Sequence, residues 1–314
     1  MTIALTVLVG ALAAGWFIPG LLGRMDLRRR DPLLMIVAWL VSAAGFLVAA
    51  GLSVLLLLLP DHGPLLAVLH RCWSAFQHGS PPRVEELAGL LGAGVLAVLA
   101  TRLAIAAVRG GRQRARKRRA GLAVLRVATL SDAGQQDILW LAHERPLAFS
   151  MAGRPGVVVA TEGLVRHLDH TAVEAVFAHE RAHLTGRHHL LIAAAEALRA
   201  ALPFVPLFRQ VPQAIRDLVE LSADVTAVRT CGAPAVRAAL LGVARHGAPS
   251  TSLAMAQDAV ELRLARLGHG SRPPRTTHRI VSCGLTGLTA ATLPLLAGIT
   301  LLVSIAFITC PLNG

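Results

Sequence analysis

Two histidines and a glutamate share one helical turn in the run His179-Glu180-Arg181-Ala182-His183. Residues at i and i+4 lie on one helix face, so two imidazoles at this spacing can hold one zinc ion. Glu180 stands beside that face, where it could take a proton from water activated by the metal. Zinc brings the pKa of such a water near neutrality, which supplies a nucleophile at ordinary pH. Taken alone the five-residue pattern is only moderately specific, because a solvated helix can carry the same residues by chance. Its surroundings decide.

The segment around it reads as a helix. Thr171-Ala172-Val173-Glu174 has the form of a capping box with Thr171 as N-cap. Val173, Val176 and Phe177 give an apolar stripe, and Gly186 is a stop signal. A second helix is expected after Pro212, over residues 213–229, with Ile215, Leu218, Val219, Leu221, Ala223 and Val225 at helical spacing and an end at Cys231-Gly232. It carries Glu220 and Asp224, two carboxylates at i and i+4. Glu220 is expected as the third zinc donor. Asp224 is expected to orient one imidazole through its other ring nitrogen. Exposed acids on an amphipathic helix are the plainer alternative, but acids are scarce here: 18 Asp and Glu against 31 Lys and Arg.

A rival donor set exists. His183 to His189 extends the pattern to HExxHxxGxxH, the metzincin signature, with His189 as third ligand and Met255 as the methionine turn. Metzincins are soluble secreted domains, which this composition does not suit. His188 and His189 are expected instead to open a helix over 190–202.

Hydrophobic residues make up 54% of the 314-residue chain, yet its formal net charge is +13. Mean hydropathy is +0.59. These values coexist because the charges are segregated. Residues 2–23 and 33–59 are uncharged and apolar, and 87–108 contains only Arg102, near one end where it can snorkel. A fourth span is expected over about 284–309. Each stretch suffices for roughly 30 Å of hydrocarbon. The expected organisation is a helical hairpin in 1–60, an outer loop in 61–86, a third span in 87–108, a protease domain in 109–283, and a fourth span with a short outer tail in 284–314.

Orientation follows the basic loops. Arg24, Arg28, Arg29 and Arg30 follow the first span, the run from Arg109 to Arg119 follows the third, and Arg272, Arg275 and Arg279 precede the fourth. These place both termini outside and residues 110–280 in the cytoplasm, in a plasma membrane. The first span lacks a positive leader and is read as an uncleaved anchor. The basic run at the membrane exit suits anionic lipid rather than nucleic acid, so no direct nucleic-acid partner is expected.

Before the zinc helix there is room for a small sheet: a strand at Asp137–Ala142, then a hairpin of Leu147–Met151 and Gly156–Ala160. The edge residues Ala148, Phe149 and Ser150 could hold an extended substrate by main-chain hydrogen bonds. Thr161 is expected to cap a helix through Leu168. The fold class is thus a mainly α membrane protein of four transmembrane helices, with a cytoplasmic α+β zincin-like domain between spans three and four.

His179-Glu180-Arg181-Ala182-His183 followed by Glu220-x-x-Ala223-Asp224, placed between spans three and four, resembles the BlaR/MecR antirepressor family of membrane zinc peptidases. The stretch Pro146 to Thr161 is also similar to what precedes their zinc helix. The resemblance implies that His179, His183 and Glu220 bind one Zn2+, that Glu180 is the base, and that Asp224 supports a ligand. It also implies a cytoplasmic protein substrate, a winged-helix repressor. Family members that sense β-lactams continue into an outer penicillin-binding domain that this sequence lacks, so antibiotic sensing is not expected. HtpX-type quality-control proteases share both motifs and are the alternative. A non-catalytic zinc-bearing receptor or scaffold is a third, but structural zinc usually has four protein ligands. Membrane lipids and a homo-oligomer complete the expected partners.

The four cysteines lack CxxC spacing. Cys231 and Cys283 are expected as free thiols, and Cys72 and Cys310 would face an oxidising side where they could pair.

Overall fold

The computed structural model describes residues 2–26, 30–58, 84–128, 138–153, 155–247 and 253–268. The expected fourth span lies outside them, as do Cys72, Cys283 and Cys310. Cys231 is a free thiol.

The fold is mostly helical. Helices α1 (Thr2–Gly23), α2 (Pro32–Leu58) and α3 (Val84–Ala128) come first. A small sheet follows, with β1 (Ile138–Leu141), β2 (Ala148–Met151) and β3 (Val157–Thr161). Then come α4 (Glu162–His167), α5 (His170–Thr185), α6 (His188–Ala201), α7 (Pro206–Cys231), α8 (Ala233–Gly247) and α9 (Leu253–Gly268). Among the described residues, Pro32–Leu56 and Leu90–Ala120 are long and apolar enough to cross a membrane by length and composition. The apolar part of α1, Val7–Gly23, is shorter.

Helix α3 does not stop at residue 108. It runs on through the basic stretch to Ala128, about 68 Å at 1.5 Å per residue. Its arginines are therefore helical, and Arg118 donates to the Pro155 carbonyl at 3.2 Å, tying this extension to the β2–β3 turn.

The hairpin forms as its pattern suggests, but the first strand joins it on the far side. The order is β1-β3-β2, with β1 parallel and β2 antiparallel to β3. Val158, Val159 and Ala160 make β3 the buried central strand, so β2 is left at an edge. Gly163 permits the sheet-to-helix corner: a Cβ there would lie 2.0 Å from the Glu144 carbonyl oxygen.

Two caps differ from expectation. Helix α5 begins two residues earlier than a Thr171 cap would allow, with Asp169 accepting from Ala172 N–H at 2.7 Å and from the Thr171 hydroxyl at 2.9 Å. Thr161 occupies the N-cap position of α4 but makes no capping bond. Its hydroxyl serves the preceding loop, donating to Arg145 O at 2.7 Å and accepting from Leu147 N–H at 2.9 Å.

Helix α7 likewise starts at Pro206 rather than after Pro212. The interior proline removes one hydrogen bond, but Leu207, Phe208, Val211 and Ile215 are completely buried. At roughly 1.5–3 kcal/mol per large apolar side chain, that burial outweighs the lost bond.

Helix α7 joins two cores. Its first half belongs to a cluster with α1, α2 and α6, built from residues such as Ala11, Trp39, Phe46, Ala195, Phe208 and Ile215. Its last turns, through Ala227, join a second cluster with the sheet, α5 and α8. The tip of the α6–α7 hairpin reaches the middle of the first helices. Phe208 packs edge-on against Phe46 with centroids 5.3 Å apart. Val205 lies so near Gly15 that a Cβ there would come within 2.9 Å. Arg102 of α3 donates to Ala200 O at 3.2 Å, near the end of α6. The α6–α7 hairpin is therefore packed among the apolar helices, in contrast to a separate domain joined to them by a linker.

Candidate metal centre

Helices α5 and α7 pack side by side and bring three donors together. The His179, His183 and Glu220 donor atoms all lie within 4.8 Å of one another. His179 Nε2 and His183 Nε2 are 3.0 Å apart. Glu220 Oε2 is 3.4 Å from His179 Nε2, and its Oε1 is 3.4 Å from His183 Nε2. Donors about 2.0–2.1 Å from a tetrahedral zinc ion stand about 3.3 Å from one another. The three residues therefore fit a zinc ion in both chemistry and spacing. The histidines are nearly enclosed, whereas the Glu220 side chain is 44% exposed, so the centre opens on that side.

Each imidazole is backed on its other nitrogen. His179 Nδ1 lies 2.9 Å from Asp224 Oδ1, and Asp224 is almost fully buried. That carboxylate also receives two bonds from Arg263, from Nε at 2.7 Å and Nη2 at 2.6 Å. Arg263 Nη1 is 3.5 Å from Glu220 as well. His183 Nδ1 is 2.9 Å from His188 Nδ1.

Electrostatics follow from burial and these contacts. Burial pulls the His179 pKa down, but the adjacent Asp224 and Glu220 carboxylates prevail and raise it from 6.5 to about 9. Burial dominates at His183 and lowers it to about 4. Burial works against ionised Asp224 and Glu220, yet Arg263 and His179 at the first, and the two histidines at the second, hold both below the usual carboxylate range. Glu180 differs. Burial raises its pKa, with His179 and Ser150 opposing only in part.

A His179 pKa raised to about 9 favours the protonated imidazole at neutral pH, so a zinc ion binding at these donors would have to displace that proton. Zinc affinity is expected to rise close to tenfold per pH unit between about pH 6 and 8, with about one proton released per ion. Calorimetry in buffers of different ionisation enthalpy reads that proton directly, and a pH-independent affinity would refute it. The metal-free fold changes oppositely. The stabilisation from protonated His179 is complete below about 6.5 and is lost as pH rises through about 9.

Glu180 is kept beside the donors by β2. Its carboxylate lies beside the hydroxyl and backbone N–H of Ser150, which favour its ionised form. The strand register explains this. Thr161 N–H donates to Leu147 O at 3.0 Å, so Leu147 and, by alternation, Phe149 and Met151 turn their polar backbone toward β3. Ala148 and Ser150 turn theirs to the free edge. The expected substrate strand thus runs past Glu180, with Ala148 N–H, Ala148 C=O and Ser150 C=O facing outward.

His189 is not in the donor group. It is half-buried in the first turn of α6, near Arg114 and Arg187, and Met255 belongs to α9 and makes no turn. Two residues of the centre escaped the sequence reading. Arg263 lies 39 positions beyond Asp224, with no motif to flag it. The sequence around His188 marks only the start of a helix.

Two helices offering two imidazoles and a carboxylate donor, with a separate half-buried glutamate beside a strand edge, form the kind of arrangement a metallopeptidase uses. Residues 112–246 match the family model described as Peptidase family M48, whose members are zinc-dependent metallopeptidases. No curated protein and no solved structure matches the chain.

Proposed function

We propose that the chain is a membrane-embedded zinc endopeptidase that cleaves an extended polypeptide at the cytoplasmic surface of the plasma membrane. The observation that carries this reading is the convergence of His179, His183 and Glu220 next to Glu180, with Glu180 held on the free edge of β2. A zinc ion at these donors supplies Lewis acidity that polarises a carbonyl and acidifies water. Ala148 and Ser150 pair with the substrate backbone as an added strand. Glu180, its proton affinity raised by burial, accepts the proton of the attacking water and returns it to the leaving amine. Asp224 keeps the His179 ring oriented, with Arg263 as counter-charge.

The membrane part of the reading is supported by what the first helices expose. Phe17 and Leu91 are each 72% exposed, and Trp16, Val48 and Val95 also point outward. Helices apolar on their outer faces as well as their packed ones suit lipid rather than water. The position of Phe208 among these helices, with Glu220 three turns later on α7, supports a metal centre close to the membrane surface. The winged-helix repressor implied by the resemblance is the first natural substrate to try.

The full chain in detergent is expected to contain one zinc and to cleave labelled casein. Removing the metal with a chelator should abolish cleavage and adding zinc should restore it. A zinc-free preparation, or cleavage indifferent to chelation, would overturn the reading. Cleavage of casein without cleavage of a co-encoded repressor would overturn the repressor alone.

A further inference from the structure

The two imidazoles of the centre are backed by different chemistry, and the second backing residue is placed with evident constraint. His188 is only 6% exposed, although it opens a helix beside exposed Arg187 and Leu190. The chain reaches it through a tight reversal. Arg187 is the only non-glycine residue of positive φ among those described, at φ 49 and ψ 37. Such a conformation costs a non-glycine residue on the order of 1 kcal/mol or more and persists where surrounding contacts enforce it. Gly186 is needed for the same reversal, since a Cβ there would lie 2.5 Å from His188 Nε2. The outcome is one contact, His188 Nδ1 to His183 Nδ1 at 2.9 Å, with the rings edge to face at 4.9 Å.

We infer that His188 is a positioning residue for the metal: its Nδ1 accepts the Nδ1 proton of His183, which fixes that ring's tautomer and leaves its Nε2 lone pair free for zinc. The argument rests on the zinc reading above. Only one nitrogen of a neutral imidazole carries the proton, so a proton fixed on Nδ1 makes Nε2 the donor atom. His183 Nε2 is the atom facing His179 and Glu220. For His188 to accept, its own proton must sit on Nε2, the nitrogen packed against Gly186. The centre is thus asymmetric. Asp224 backs His179 with a charge, and His188 backs His183 with a neutral ring. A charged partner makes its imidazole a stronger donor, whereas a neutral one orients the ring without adding negative charge.

The test is zinc affinity of the full chain in detergent, by competition with a chelating dye, for wild type and three variants. His188→Ala removes the acceptor and should weaken zinc binding about 10–100-fold. His188→Asn can place its amide oxygen where Nδ1 stood, and should recover most of the wild-type affinity. His188→Leu restores bulk without an acceptor and should stay weak. Thermal unfolding of the metal-free forms identifies any variant that fails to fold. Wild-type affinity in His188→Ala, or equal recovery by Leu and Asn, would overturn the inference while leaving the zinc reading intact. A wild-type chain that takes up no zinc would overturn both.

Discussion

Replacing Glu180 with glutamine is expected to lower casein turnover by roughly 10²–10⁴-fold, the range for loss of a positioned acid–base group. Zinc content should not change, because Glu180 is not among the three converging donors. Glutamine is nearly isosteric and its carbonyl oxygen can still accept a bond from Ser150, so the local fold is preserved. What it lacks is a site that binds and releases a proton. The loss should therefore appear in kcat, with KM little altered. The half-buried position sharpens the expectation: desolvation raises the proton affinity of Glu180, which suits a base, and an amide gains nothing from it. Retained turnover in Glu180→Gln would remove this residue from the chemistry. Loss of zinc together with turnover would show that it acts on the metal site instead.

The helical part of the candidate site is legible in local signals of the sequence. The i, i+4 spacing of His179 and His183 and of Glu220 and Asp224 needs only helical geometry, and both helices form. The β2–β3 hairpin followed from its flanking turn. Errors arose where a distant contact outweighed a local preference. Pro212 reads as a boundary, but the burial of Leu207, Phe208 and Val211 against α1 and α2 carries α7 through it. Thr171 and Glu174 read as a cap, but Asp169 lies closer to the first free N–H groups and accepts that of Ala172. His188 is five residues from His183, a spacing that puts neighbours on different helix faces unless the chain reverses. The reversal at Arg187 was not legible because left-handed backbone at arginine has no sequence signature. Arg263 was hidden by its abundance. One arginine among 31 basic residues carries no mark of the ion pair it makes.

That ion pair is where the second large effect is expected. Asp224 is only 4% exposed as a side chain and Arg263 17%, and their paired bonds are short, one to each carboxylate oxygen. Removing one partner of a buried pair costs far more than the pair contributes, because the remaining charge stays desolvated. Arg263→Met should therefore destabilise the metal-free chain by about 3 kcal/mol, the low end for such losses, since protonated His179 still faces the carboxylate. The same cation explains a second consequence. Arg263 lowers the proton affinity of His179 through its charge, so its loss makes that proton harder to displace. Zinc binding at neutral pH should weaken, and less so as the pH is raised. Arg263→Lys should not rescue either property fully, because an ammonium cannot reproduce the two-pronged geometry. Neutralising both partners, in Asp224→Asn with Arg263→Met, should recover stability relative to Arg263→Met alone. It should not recover zinc affinity, because His179 then loses its charged acceptor. Thermal unfolding and zinc competition on the four proteins separate these effects. An Arg263→Met chain as stable and as tight for zinc as wild type would show that Asp224 is held by the fold around it and that Arg263 is incidental.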